Sequence, residues 1–231
     1  MRSGTRALWG YRAGAWASRL VPGWALDPVS GVLGRTVAAL MPARREVVAR
    51  NLARALEGAD PGAVRRASSA AFCSYIHYWI ESFQLPHLGP EQVVRHVTPE
   101  GFEHLEAAVA AGRGTILALP HLGSWDYAGA WMAACGHPMT VVMEPLEPPE
   151  LFELLAGIRR SLGMKVVRLG PEAVAEVMAS LRRNQVVGLL ADRDLTGTGV
   201  EVEFFGEVTT LPAGPAALAL RTGAALLPSA T

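Results

Sequence analysis

Along the first hundred residues the apolar positions recur at intervals of three and four, the spacing of one buried stripe on a helix. This pattern predicts helices over 32–40, 44–56 and 61–83, the last presenting Ala71, Tyr75, Tyr78, Trp79 and Phe83 at helical intervals. Pro86, Gly89 and Pro90 then break the chain. From about Phe102 the pattern changes, and short runs that are apolar on both faces alternate with amphipathic stretches. Strands are predicted over 114–119, 140–143, 166–169 and 186–191, and helices over 103–111, 126–134, 150–162 and 173–184. A further strand is expected over 200–205, a helix over 213–222 ending at Gly223, and a strand over 224–228.

Runs that are apolar throughout, separated by helices, suit strands buried on both sides in a parallel sheet. The expected fold class is therefore α/β, with a mixed, mainly parallel central sheet flanked by helices and an α-helical N-terminal region. The helical part is read as residues 1–100 and the α/β core as 101–231, together one structural domain. Thr231 follows directly on the start of a buried-type strand, so the core is expected to be incomplete at its C-terminus.

The chain has 231 residues, 50% of them hydrophobic, enough for one substantial core. Net charge is zero, yet residues 1–55 carry nine Arg against Asp27 and Glu46 only. Leu8, Trp9, Tyr11, Trp16, Leu20, Val21 and Trp24 are interleaved with that charge. The segment suits an anionic membrane surface, with Trp and Leu in the interface and Arg on phosphates; it equally suits a helical hairpin with a solvated basic rim. Nucleic acid is not an expected partner, since the rest of the chain cancels the charge and no nucleic-acid motif is present. No run reaches the roughly 18 apolar residues of a spanning helix. Arg12 and Arg19 interrupt any signal-peptide core. Cys73 and Cys135 form neither a disulfide framework nor a metal knuckle, which points to a reducing, cytoplasmic location.

In open α/β sheets, sites form at the carboxyl ends of strands. The first such turn reads PHLGSWD, with His121 directly after the strand and Asp126 five residues on, where the carboxylate can fold back onto the imidazole. A hydroxyl becomes a good nucleophile when a base takes its proton, and a carboxylate on the far ring nitrogen fixes the tautomer and stabilises the imidazolium. The competing reading is a His that caps the next helix or bonds a buried carbonyl. Ser124 does not sit in a G-x-S-x-G elbow, so direct transfer is expected rather than a covalent intermediate. The strand over 186–191 delivers Asp192, Arg193 and Asp194 to a carboxyl end, where they form either a solvated turn or part of the same cleft. In the cleft, Asp192 or Asp194 can orient an acceptor sugar and Arg193 can meet a phosphate. Glu144 occupies a comparable strand end. Arg159 and Arg160 end a helix, where an Arg either answers the helix dipole or reaches an anionic donor or lipid phosphate.

The motifs ALPHLGSWD, RSLGMKVV, LLADRDLTGTGVEVEFFGE and LPAGPAALALRTGAALLP, in that order, resemble those of the phosphatidylinositol mannoside acyltransferases, within the wider group of lipid A biosynthesis lauroyl and myristoyl acyltransferases. The resemblance runs from about residue 45 to the end. It implies a peripheral enzyme on the cytoplasmic face of the plasma membrane, with a glycerol-3-phosphate acyltransferase-like fold. Such an enzyme takes palmitoyl or a similar chain from acyl-CoA and esterifies a mannose hydroxyl of a membrane glycolipid acceptor. It also implies His121 as the base with Asp126 as its partner, Arg159 near the acceptor phosphate and Glu144 lining the cleft. Where relatives carry Glu before Arg-Asp, this chain has Asp192, a carboxylate of shorter reach.

No metal or redox cofactor is expected, because one His among carboxylates is a poor zinc set. Acyl-CoA enters as donor substrate. The alternatives are acyl transfer to another glycolipid such as a lipid A-like acceptor, an inactive lipid-binding relative, and a thioester or ester hydrolase in which water replaces the acceptor.

Overall fold

The structure is a computed structural model that describes residues 2–195 and 197–231, with side chains from Ala7 onward. Arg2 and Arg6 of the basic segment therefore have side chains outside the described residues, as does Thr196 of the third motif. The chain divides into two compact units. One comprises 10–84 and 203–208; the other comprises 2–9, 85–202 and 209–231. The division thus falls between Gln84 and Leu85, earlier than the change of pattern near 100, and a short hairpin tip far along the chain belongs with the helices.

The helical unit contains most of α1 (Arg2–Ser18), with α2 (Leu26–Leu40), α3 (Pro42–Ala55) and α4 (Pro61–Gln84). Asp60 starts α4: its Oδ1 accepts the amide hydrogens of Gly62 at 2.6 Å and Ala63 at 3.0 Å, and Pro61 occupies the first helical position, where no amide hydrogen is needed. Helix α2 buries Ser30, Gly34 and Ala38, a row of small residues four apart. That row lets α4 approach closely, so a Cβ added at Gly34 would lie 2.5 Å from the Cα of Cys73. Gln84 donates from Nε2 to the carbonyls of Ser18 and Val21, each at 2.7 Å, and so ties the end of α4 to the turn after α1.

The second unit begins with α5 (Pro90–Arg95), which the pattern did not predict, and α6 (Phe102–Ala110). A regular alternation follows: β1 (Thr115–Leu119), α7 (Trp125–Ala134), β2 (Met139–Met143), α8 (Pro149–Ser161), β3 (Lys165–Arg168), α9 (Ala173–Arg182) and β4 (Val186–Leu190). After β5 (Val200–Phe204) and β6 (Glu207–Leu211) come α10 (Gly214–Thr222) and β7 (Ala225–Pro228). The five-stranded sheet has the order β3-β2-β4-β1-β7 and its pairings are parallel, as the doubly apolar strands predict. One face packs Leu117, Leu119 and Val186 with Leu105, Ala130, Trp131 and Met132 from α6 and α7. The other packs Ile116 and Val187 with Val177 and Leu181 from α9 and Leu218 and Ala219 from α10.

Strands β5 and β6 form a separate ribbon joined by Phe205 and Gly206, both at positive φ (51° and 73°), the geometry of a tight hairpin turn. Within the helical unit, Arg54 on α3 holds the tip through Glu207 at 2.6 Å. The pattern predicted β5 but not β6.

The sheet topology creates the site. From β1 the chain moves past β4 to β2, and from β4 it moves past β1 to β7, so these neighbouring strands send their connections in opposite directions. Right-handed crossovers then put α7 and α10 on opposite faces, as the two core clusters record, which makes the carboxyl ends of β1 and β4 the switch point at which sites form in sheets of this kind.

Candidate active site

Strands β1 and β4 pair in register from Thr115 with Val186 to Leu119 with Leu190. One further ladder bond, from the Ala191 amide to the Leu119 carbonyl at 2.8 Å, carries the alignment past the strand ends. The residues next in line are His121 and Asp192, separated by the same 71 positions as Leu119 and Leu190. They meet twice. The His121 amide donates to Asp192 Oδ2 at 2.9 Å, and Nδ1 of the ring lies 2.7 Å from Oδ1.

Burial pushes the Asp192 carboxyl up, but the hydrogen bonds from the His121 ring and backbone and the charge of the ring outweigh it, leaving the pKa below its ordinary 3.8. Asp192 is therefore an ionised acceptor at neutral pH. The proton between the two groups belongs to Nδ1, and a neutral ring then carries its lone pair on Nε2.

Asp126 stands elsewhere, which corrects the expectation that it folds back onto the imidazole. It lies in the first turn of α7, and Arg159 of α8 grips it with two bonds, Nε to Oδ1 at 2.7 Å and Nη2 to Oδ2 at 3.1 Å. Nη1 of the same guanidinium reaches the sulfur of Met143 at 3.1 Å. The Asp126 side chain is only 4% exposed and that of Arg159 15%, so the pair is a buried bidentate ion pair binding α7 to α8. The reversal has a physical cause. Inter-strand register sets Asp192 beside His121, whereas Asp126 enters a helix whose first turn faces α8.

Glu144, just past β2, meets Arg193 at 3.5 Å, joining the ends of β2 and β4 at the surface. Asp194 turns onto its own loop, where Oδ1 accepts the Gly197 amide at 3.0 Å and Oδ2 the Gly199 amide at 2.9 Å. Of the predicted residues, then, His121 and Asp192 are brought together, Asp126 and Arg159 form a second pair, and Glu144 and Arg193 a third. Arg160 faces away to Glu153 at 2.9 Å. Sequence reasoning missed Trp125, whose indole packs edge-on against the His121 ring with centroids 5.2 Å apart. The available signal was its position four residues after His121, at the entry to a helix.

An ionised carboxylate on one imidazole nitrogen and a lone pair on the other, at the strand ends, suit proton abstraction from a hydroxyl. The sequence pattern of the bacterial lipid A biosynthesis acyltransferases matches residues 2–231. The chain belongs to this acyltransferase family. A protein of Mycobacterium tuberculosis named phosphatidylinositol mannoside acyltransferase is 44% identical over 97% of this chain and 72% of its own length. Its namesake in Mycolicibacterium smegmatis is 41% identical over 95% of this chain and 72% of its own length. A lipid A biosynthesis acyltransferase of Haemophilus influenzae is 31% identical over 48% of this chain and 36% of its own length. For an acyltransferase, such a pair has the make-up of a base and its orienting carboxylate. Amide hydrogens at the turn through Gly123, which adopts φ 66°, lie next to that base in the chain.

Proposed function

We propose that this acyltransferase moves a fatty acyl chain, palmitoyl foremost, from acyl-CoA to a mannose hydroxyl of a phosphatidylinositol mannoside, with His121 as general base. The observation that carries the reading is the 2.7 Å contact between His121 Nδ1 and Asp192 Oδ1, which leaves Nε2 to accept a proton. Nε2 takes the hydroxyl proton as the oxygen attacks the thioester carbonyl, and Asp192 stabilises the imidazolium. The tetrahedral oxyanion is met by amide hydrogens near Gly123. Collapse breaks the carbon–sulfur bond, and the imidazolium returns its proton to the departing CoA thiolate. Arg193 and Glu144 line the approach for the anionic and sugar parts of the substrates, while Arg159 is taken up by Asp126 in the buried pair. The acceptor is inferred from the names of the mycobacterial relatives.

The reading includes a peripheral seat on the cytoplasmic face of the plasma membrane. Among the described residues no helix is long and apolar enough to cross a membrane. In the helical unit Trp16, Leu20 and Trp24 are 65%, 67% and 84% exposed, beside exposed Arg12 and Arg19.

The test supplies the purified chain with palmitoyl-CoA and detergent-dispersed phosphatidylinositol mannosides, following acylated lipid and free CoA. Equal amounts of the two, both dependent on the mannoside, support the reading. CoA release that ignores the mannoside overturns it in favour of a hydrolase. Acylation of a lipid A precursor in preference to the mannoside would move the acceptor to the class named for the Haemophilus relative.

A further inference from the structure

A single hydrogen bond to Nδ1 holds one corner of an imidazole and leaves the plane of the ring free to turn about that corner. A base acting through Nε2 needs that plane fixed, because a small misplacement of the reacting atom is costly in rate. At these strand ends the second constraint is an aromatic one. The indole of Trp125 meets the His121 ring at 79° with centroids 5.2 Å apart, inside the range where edge-to-face contacts are favourable.

Trp125 is itself firmly mounted. It is the first residue of α7, and its neighbour Asp126 is the buried carboxylate that Arg159 grips with two bonds. A ring standing on a buried ion pair at the start of a helix is a rigid support. Its burial is unlike that of a core tryptophan: Trp131 of the same helix is 8% exposed within the hydrophobic cluster, whereas Trp125 is half-buried and outside it. The loop also forgoes a local gain to hold this course. Ser124 occupies the N-cap position, where a serine ordinarily accepts an amide hydrogen, yet it has φ −108° and ψ 75° and makes no capping bond. Among the described residues its hydroxyl is buried without a partner.

We propose that Trp125 is a positioning residue for acyl transfer, its indole bracing the His121 imidazole on the Asp192 carboxylate so that Nε2 keeps one orientation. The inference rests on the reading of His121 as base. Trp125 exchanges no proton; it acts through the ring it packs against.

The experiment compares Trp125→Leu and Trp125→Phe in the full chain, measuring kcat and KM for palmitoyl transfer and recording the His121 ring nitrogens by 15N NMR across a pH series. Trp125→Leu is expected to lower kcat by about tenfold to a hundredfold with KM little changed. The His121 resonances should move towards a mixture of tautomers. Trp125→Phe, which keeps an aromatic edge, should recover most of both. Wild-type kcat in the Leu variant, or His121 nitrogens unmoved in it, would overturn the proposal. Should the Leu variant fail to fold, the Phe variant decides: nitrogens like the wild type's support the proposal, and scrambled tautomers in a ring-bearing variant overturn it. If His121→Ala kept full transfer activity, the base reading would fall, while the imidazole resonances would still decide whether Trp125 sets the ring.

Discussion

The Asp192 carboxyl lies below its ordinary range because His121 supplies it with a ring and a backbone hydrogen bond that outweigh its burial. Two consequences follow at this one residue. Asp192→Asn replaces an acceptor-only group with an amide that no longer dictates which ring nitrogen carries the proton, so kcat for acyl transfer is expected to fall about a thousandfold or more with KM little changed. A carboxyl whose pKa is lower in the folded than in the unfolded chain adds stability above its unfolded value, and loses it as pH falls through the folded value. The stability gap between wild type and Asp192→Asn at neutral pH should therefore narrow once pH drops below about 3.9. Urea midpoints over a pH series measure it, and a gap unchanged into strong acid would contradict the account. At this scale the sequence was half legible. His121 and Asp192 each follow a doubly apolar strand directly, so both were readable as strand-end residues. Their partnership was not, because it depends on the register of two strands 71 positions apart. Five-residue spacing made Asp126 look like the partner, and the direction in which the first turn of α7 faces makes it the partner of Arg159 instead.

Between elements, the Asp126 to Arg159 pair is the contact whose loss should be felt most. With side chains 4% and 15% exposed, removing one member takes from a buried charge its bidentate partner. Asp126→Ala is expected to cost about 3–5 kcal/mol, by chemical denaturation. A loss below about 1 kcal/mol would mean that the pair is not buried in solution. The row Ser30, Gly34 and Ala38 on α2 offers a second test. Intrinsic helix propensity favours Gly34→Ala by about 1 kcal/mol. A new Cβ 2.5 Å from the backbone of α4 should nonetheless reverse the sign, for a net loss on the order of 1–3 kcal/mol. Stabilisation by this substitution would show that the two helices do not approach so closely. Strand and helix positions from β1 to β4 were legible because each run matched one period. Short α5 lacked two turns of pattern, and β6, Glu207–Leu211, is exposed along most of its length, so burial left no signature there.

For the whole molecule, the uneven charge and the exposed tryptophans bear on where the enzyme works. With Trp16 and Trp24 exposed beside Arg12 and Arg19, binding to vesicles containing anionic lipid should exceed binding to neutral vesicles. It should weaken as salt shortens the screening length from about 10 Å at 0.1 M towards 3 Å at 1 M, and weaken again in Trp16→Ser with Trp24→Ser. Co-sedimentation that ignores lipid charge, salt and both substitutions would remove the membrane seat from the proposal. The α/β class and the helical preface were legible from periodicity. The grouping of the hairpin tip with the helices was not, since it depends on contacts such as Arg54 with Glu207, far apart in the chain. Membrane seat and acceptor aside, the proposed chemistry turns on one atom, Nε2 of His121. The most direct measurement is single-turnover palmitoyl transfer to phosphatidylinositol mannoside by wild type and by His121→Gln, with the variant's fold verified by its thermal midpoint. Transfer lost in a folded variant is the expected result; transfer at the wild-type rate would contradict the account.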